Sequence, residues 1–147
     1  MRRVALPRCG PPGIFVGMVG ILIVAHGTLA EALVQSASHV LGRVLTGVAH
    51  LGVTVRDDPE ALLPRARELA SSVDDGGGVL VLTDMLGATP SNVATRLLSP
   101  GRVEGVSGMS LPMLVRALTY REQPLEVVLL KALSGGREGV TQLAAKT

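Results

Sequence analysis

Two stretches of this chain are apolar almost without interruption, VGILIVA at residues 19–25 and VLVLT at residues 79–83. A strand with one solvated face alternates polar and apolar residues, so unbroken runs of this length predict strands buried on both faces of a parallel sheet. Weaker strand patterns cover residues 48–55 and 102–106, and residues 140–144 are expected to add a last short strand. Between these segments the period becomes helical. Ala30, Leu33, Ala37, Val40 and Leu41 recur at helical spacing up to a stop at Gly42. Pro59 opens a second helix to about Val73, which the internal Pro64 is expected to bend or break. A third helix is predicted with Thr89 at its cap, Pro90 at the first helical position and an end near Leu98. Residues 111–120 read as a fourth. Leu125, Val128, Leu129, Ala132 and Leu133 mark a fifth, which Gly135 and Gly136 are expected to end. Strands alternating with helices predict an α/β fold, a doubly wound and mainly parallel sheet joined by right-handed crossovers.

Composition narrows the possibilities. A chain of 147 residues, 47% of them hydrophobic, makes one domain with a substantial core. With one Phe, one Tyr and no Trp, that core must be aliphatic, and the chain lacks the aromatic faces on which bases and sugars stack. The net charge of +2 arises near the N-terminus: of 14 basic residues, Arg2, Arg3 and Arg8 precede Met18, and the remaining 11 face 12 acidic residues. No basic nucleic-acid face is expected. Cys9 is the sole cysteine, which excludes an internal disulfide or a thiolate metal cluster and fits a cytoplasmic setting.

Arg2 and Arg3 followed by the apolar residues 13–25 could be read as an export signal. The run is shorter than the roughly 20 residues that span a bilayer. Pro11 and Pro12 interrupt its start, and cleavage near Ala25 would remove the first strand. Residues 6–9 resemble a lipoprotein box only faintly and precede the apolar run. Residues 1–17 are therefore expected to be a disordered leader or a misassigned start, with the domain at 18–147.

In an open parallel sheet, reactive groups gather beyond the carboxyl ends of the strands, where strand order reverses. His26 ends the first apolar run and Asp84 follows the second. If those strands are neighbours, the two side chains face one crevice. A carboxylate bonded to one imidazole nitrogen fixes the tautomer and leaves the other nitrogen as a nucleophile, a pairing suited to reversible phosphorylation of histidine. Gly87, Ala88 and Thr89 lead into a helix, so backbone N–H groups there are candidates for binding the phosphoryl oxygens. His39 and His50 read as solvated or packing residues, Asp57 and Asp58 as turn or helix-start residues, and Ser91 as first-turn polarity. Three scattered histidines give no metal-ligand spacing, Gly76 to Gly78 lack a dinucleotide fingerprint, and Ser36, Ser38, Ser107 and Ser110 fit no nucleophile elbow. Neither a metal nor a cofactor is called for.

Four segments in order, GILIVAHGTLAEAL (20–33), VLVLTDMLGATPSNVA (79–94), GMSLPMLVRAL (108–118) and GREGV (136–140), resemble the IIA domain of mannose-family phosphotransferase systems, and the likeness extends over residues 18–144. The resemblance implies a phosphotransferase whose His26 takes a phosphoryl group from the histidine phosphocarrier HPr and passes it to a IIB protein, with Asp84 orienting His26 and Thr89 in the small-hydroxyl position of the loop. It also implies a four-stranded parallel sheet, and a homodimer in which a C-terminal strand, here residues 140–144, is exchanged between subunits. Membrane association would be indirect, through PTS partners. GATP stands where many members have GGSP, Thr28 where some have an aromatic, and Ser110 where many have Asn. The chain has no room for a fused IIB domain, so the acceptor is expected to be a separate protein. Three roles remain open at this point: phosphoryl relay in sugar uptake, a regulatory protein read by its phosphorylation state, and the phosphotransfer subunit of a dihydroxyacetone kinase.

Overall fold

The computed structural model describes residues 17–146, so Cys9 and the expected leader, Gly17 apart, lie outside the described residues. The chain runs β1 (Gly20–His26), α1 (Leu29–Leu41), β2 (Val48–Val53), α2 (Pro59–Val73), β3 (Val79–Thr83), α3 (Thr89–Thr95), β4 (Val103–Val106), α4 (Leu111–Thr119) and α5 (Leu125–Glu138). The sheet has four strands in the order β2-β1-β3-β4, every neighbouring pair parallel. From β1 the chain steps outward to β2, then crosses back to β3 and on to β4. With crossovers of one hand, steps in opposite directions place their helices on opposite faces. Accordingly α1 packs with α4 and α5 on one face, while α2 and α3 cover the other.

This arrangement explains the unbroken apolar runs. Ile21, Ile23 and Ala25 of β1 enter the core under α1, α4 and α5, whereas Leu22 and Val24 enter the core under α2 and α3. In β3, Leu80 and Leu82 point to the first layer and Val79 and Val81 to the second. Burying a side chain of this size stabilises by about 1.5–3 kcal/mol. The central strands therefore anchor both layers.

Several boundaries differ from expectation. Pro64 lies within a continuous α2, whose start is capped by the Asp58 carboxylate accepting the Glu60 N–H at 3.1 Å. Strand β2 stops at Val53 because Asp57 accepts both the Thr54 N–H (2.7 Å) and the Thr54 hydroxyl (3.1 Å), closing a turn that leaves Val55 exposed. Helix α3 ends at Thr95, short of Leu98. Helix α5 does not end at Gly135 and Gly136 but continues to Glu138. Those glycines serve packing: a Cβ on Gly135 would sit 3.0 Å from Arg116 Cβ and 3.1 Å from the Pro112 carbonyl, and one on Gly136 would sit 2.6 Å from Met113 Cε. They let α5 approach α4 closely. Residues 140–146 form neither helix nor strand, so the expected last strand is absent within the single chain, where Val140 and Leu143 lie exposed. A strand needs a neighbour to pair with; β2 pairs with another strand on one side only, and the outer side of β4 carries just a bridge from Ser99 to Val103.

At the edge of the sheet that carries the strand N-termini, the buried Arg121 ties three segments together. Its guanidinium donates to the carbonyls of Val19 (3.1 Å), Thr46 (2.6 Å) and Gly47 (2.8 Å). No helix among the described residues is long and apolar enough to cross a membrane.

Candidate active site

Strand order reverses between β1 and β3, and their register pairs Val24 with Thr83. One step further along each strand the chain reaches Ala25 and Asp84, and His26 follows, so the topology delivers both groups to the same point of the carboxyl edge. Asp84 Oδ2 lies 2.7 Å from His26 Nδ1 and also accepts the His26 backbone N–H at 3.1 Å. Asp84 Oδ1 accepts the Met85 N–H at 3.0 Å. Burial pushes the Asp84 carboxyl up, but the hydrogen bonds from the His26 ring and from backbone N–H groups, with the His26 charge, more than offset it and hold the group below its ordinary value. Asp84 is therefore an anion that can only accept, which puts the imidazole proton on Nδ1 and leaves Nε2 with its lone pair.

Accessibility complements this geometry. The His26 side chain is 50% exposed while that of Asp84 is 14% exposed, so the imidazole is open to another molecule and the carboxylate bonded to it is sheltered. Immediately after His26 the backbone turns at Gly27, whose φ of +56° favours glycine and whose N–H donates to the Val53 carbonyl at 2.9 Å. A Cβ on Gly52 would fall 2.2 Å from the Gly27 carbonyl oxygen. The edge strand β2 must have glycine there for the His26 turn to tuck against it.

The loop after Asp84 is built differently from the sequence expectation. Ala88, not Thr89, is the N-cap of α3; Thr89 and Pro90 are its first two residues, and no side chain caps the helix. Gly87 turns the chain at φ +86°, and its N–H donates to Ser91 Oγ at 2.9 Å. The Ser91 hydroxyl in turn donates to the Ala88 carbonyl at 3.0 Å. Of the residues expected to bind phosphoryl oxygens, Gly87 thus has its N–H engaged inside the loop. The Ala88 N–H reaches the Met85 carbonyl at 3.4 Å, and Thr89 sits at the first helical position, where an N–H has no intrahelical partner. Gly87 and Ala88 lie on the turn that follows Asp84, and Thr89 opens the helix after it.

The remaining candidates are kept apart from this site. His39 lies in the last turn of α1 and His50 is exposed on β2. Asp57 closes a turn, Asp58 caps α2, and Ser110 caps α4 by accepting the Met113 N–H at 3.3 Å. Ser91 and Gly52 are the residues that sequence reasoning undervalued. A signal existed for Ser91, because the third residue of a helix commonly reaches back to the chain before it. None existed for Gly52, whose role depends on a strand far away in sequence. Four large apolar side chains at this edge, Leu29, Val55, Met85 and Leu86, are between 45% and fully exposed. Such a concentration beside a reactive group suits contact with another protein.

Residues 20–132 match a family model described as the PTS system fructose IIA component, EIIA-man. The mannose-specific EIIAB component of the PTS from Escherichia coli strain K12 is 31% identical over 131 residues, covering 87% of this chain and 40% of that protein. The chain thus spans less than half the length of that curated relative. Among solved structures, EIIA from Streptococcus agalactiae superposes with a TM-score of 0.75 at 25% identity, covering 85% of this chain and 97% of that one. The mannose/sorbose-specific IIA subunit from Enterococcus faecalis gives 0.79 at 21% identity, over 89% of this chain and 98% of that one.

Proposed function

Because this chain belongs to the EIIA-man family of phosphotransferase-system IIA components, we propose that it is a phosphoryl carrier in which His26 is phosphorylated by an HPr-like protein and passes the group to a separate EIIB protein, in sugar uptake or its regulation. The observation that carries this reading is the 2.7 Å contact between His26 Nδ1 and Asp84 Oδ2.

In the transfer, His26 Nε2 attacks the phosphorus of the donor's phosphohistidine. The new Nε2–P bond forms as the donor's N–P bond breaks, and that electron pair returns to the donor nitrogen. The Nδ1 proton stays between His26 and Asp84, whose anion stabilises the positive charge that grows on the ring. Passing the group on reverses these roles, with the acceptor as nucleophile. Gly87 and Ala88 shape the turn, and the N–H of Thr89 is assigned to the phosphoryl oxygens. No Lys or Arg is required to hold the group, which favours its departure. The exposed Leu29, Val55, Met85 and Leu86 are the contact surface for the protein partners.

The protein is further proposed to be a cytoplasmic homodimer in which residues 140–144 of each subunit pair with a sheet edge of the other. The side of β2 that faces no other strand, the outer side of β4 beyond the Ser99 bridge, and the exposure of Val140 and Leu143 support that assignment.

The experiment supplies purified protein with HPr, its phosphorylating enzyme and phosphoenolpyruvate. One phosphoryl group should appear on His26, labile in acid and stable in alkali, and a His26→Ala variant should remain unlabelled. Full labelling of that variant would overturn the assignment.

A further inference from the structure

The connection from β3 to α3 carries Asp84 at one end and a buried hydroxyl at the other. Ser91 is the third residue of α3 and is only 5% exposed. Its Oγ accepts the Gly87 N–H at 2.9 Å and donates to the Ala88 carbonyl at 3.0 Å, so both hydrogen-bonding capacities are used within the loop. Because Gly87 adopts φ +86° and Ala88 reaches back to the Met85 carbonyl at 3.4 Å, residues 85–88 form a turn with a left-handed third residue. The first residue of that turn is Met85, whose N–H holds Asp84 Oδ1 at 3.0 Å.

We propose that Ser91 is a positioning residue for the phosphoryl-accepting site: by locking the Gly87 turn it aims the Met85 N–H at Asp84, and through Asp84 it sets the His26 tautomer. The inference rests on the reading of His26 and Asp84 given above. The chain of contacts runs from Ser91 Oγ to Gly87, through the turn to Met85, and from Met85 to Asp84 and His26 Nδ1. With the hydroxyl removed, the Gly87 N–H loses its protein partner and the Ala88 carbonyl loses a donor. The turn then samples other conformations, in which Met85 no longer holds Oδ1 and the carboxylate, kept in place only by the two N–H groups of His26 on Oδ2, can turn relative to the ring. Ser91 also lines a cavity of about 220 Å³ with Thr95, Leu98 and Gly105, and threonine is the substitution that keeps a hydroxyl on the same Cβ.

The test combines ring-nitrogen NMR of His26 with phosphoryl transfer from phospho-HPr. Unphosphorylated wild type, at a pH where the ring is neutral, should show a protonated Nδ1 and a bare Nε2. Ser91→Ala should show averaging between the two tautomers and transfer roughly tenfold slower, and Ser91→Thr should restore both. In an Asp84→Asn background Ser91→Ala should add no further loss, because it acts through the carboxylate. In wild-type protein the Gly87 amide should exchange with solvent more slowly than the Leu86 amide, a measurement that needs no variant to fold. A folded Ser91→Ala protein with the wild-type tautomer, an additive loss in the Asp84→Asn background, or a fast-exchanging Gly87 amide would each overturn the proposal. The tautomer is read without any transfer, so its failure is distinguishable from failure of the carrier reading, in which no label reaches His26.

Discussion

Replacing Asp84 with asparagine changes almost no volume, yet it alters every interaction the carboxylate makes. Asp84 accepts N–H groups from the His26 ring, the His26 backbone and Met85. Asparagine offers one acceptor oxygen and one NH₂ group. With its oxygen toward His26, the NH₂ meets the Met85 N–H donor to donor; turned over, it meets both donors of His26. The substitution also removes a negative charge 2.7 Å from Nδ1. For unit charges about 4 Å apart the attraction is about 1 kcal/mol in bulk water and about 4 kcal/mol at an effective dielectric of 20. A half-exposed ring beside a sheltered carboxylate lies between those limits. A loss of ~2–3 kcal/mol of stabilisation of the cationic ring corresponds to a transfer rate roughly 10²-fold slower. Rapid-quench measurement of single-turnover transfer from phospho-HPr, with circular dichroism to establish folding, is the assay. A folded Asp84→Asn protein that transfers at the wild-type rate would refute the reasoning and demote Asp84 to a structural residue.

Three other outcomes follow from the same structure. The Asp84 carboxyl is held below its ordinary value, so its stabilising effect is complete above the unfolded-chain pKa of about 3.9 and is lost as pH falls through the lower folded value. The melting-temperature gap between wild type and Asp84→Ala should therefore shrink as pH is lowered from about 5 to 2, and a gap that widened would contradict the sign. Gly135→Ala should destabilise by about 1–3 kcal/mol, because its Cβ meets a backbone carbonyl and Arg116 Cβ. Gly136→Ala should be neutral or stabilising by up to about 1 kcal/mol, since only the flexible end of Met113 must move. Denaturant titrations of both variants would expose a reversed order. Finally, deletion of residues 140–147, which spares all of α5, should convert a dimer to monomers or aggregates in light scattering while retaining His26 and Asp84. A truncated protein that stays a stable dimer would place the interface elsewhere.

How much of this could be foreseen differs from element to element. VGILIVA and VLVLT announce doubly covered parallel strands because side-chain period and burial are local properties, written residue by residue. The positions of His26 and Asp84 at the carboxyl ends of those runs follow directly, and the helical spacing that stops at Gly42 is matched by the left-handed cap there, at φ +67°. That the two strands are neighbours is a different kind of fact. It depends on the order β2-β1-β3-β4, a choice among pairings that packing of both layers decides, and only that choice turns two residues 58 positions apart into a bonded pair. Gly135 and Gly136 show the same limit from the other side: glycine reads locally as a helix stop, but a partner helix that needs close approach outweighs the local preference and keeps α5 going. The hydroxyl that pins the β3–α3 turn was legible as a residue type and not as a bond, because Ser91 at the third helical position acquires its partner only once Gly87 has turned left-handed beneath it. Chain-local patterning thus determined the elements and the residues at their ends. Contacts between distant segments determined which ends meet, and the candidate site is made of two ends that meet.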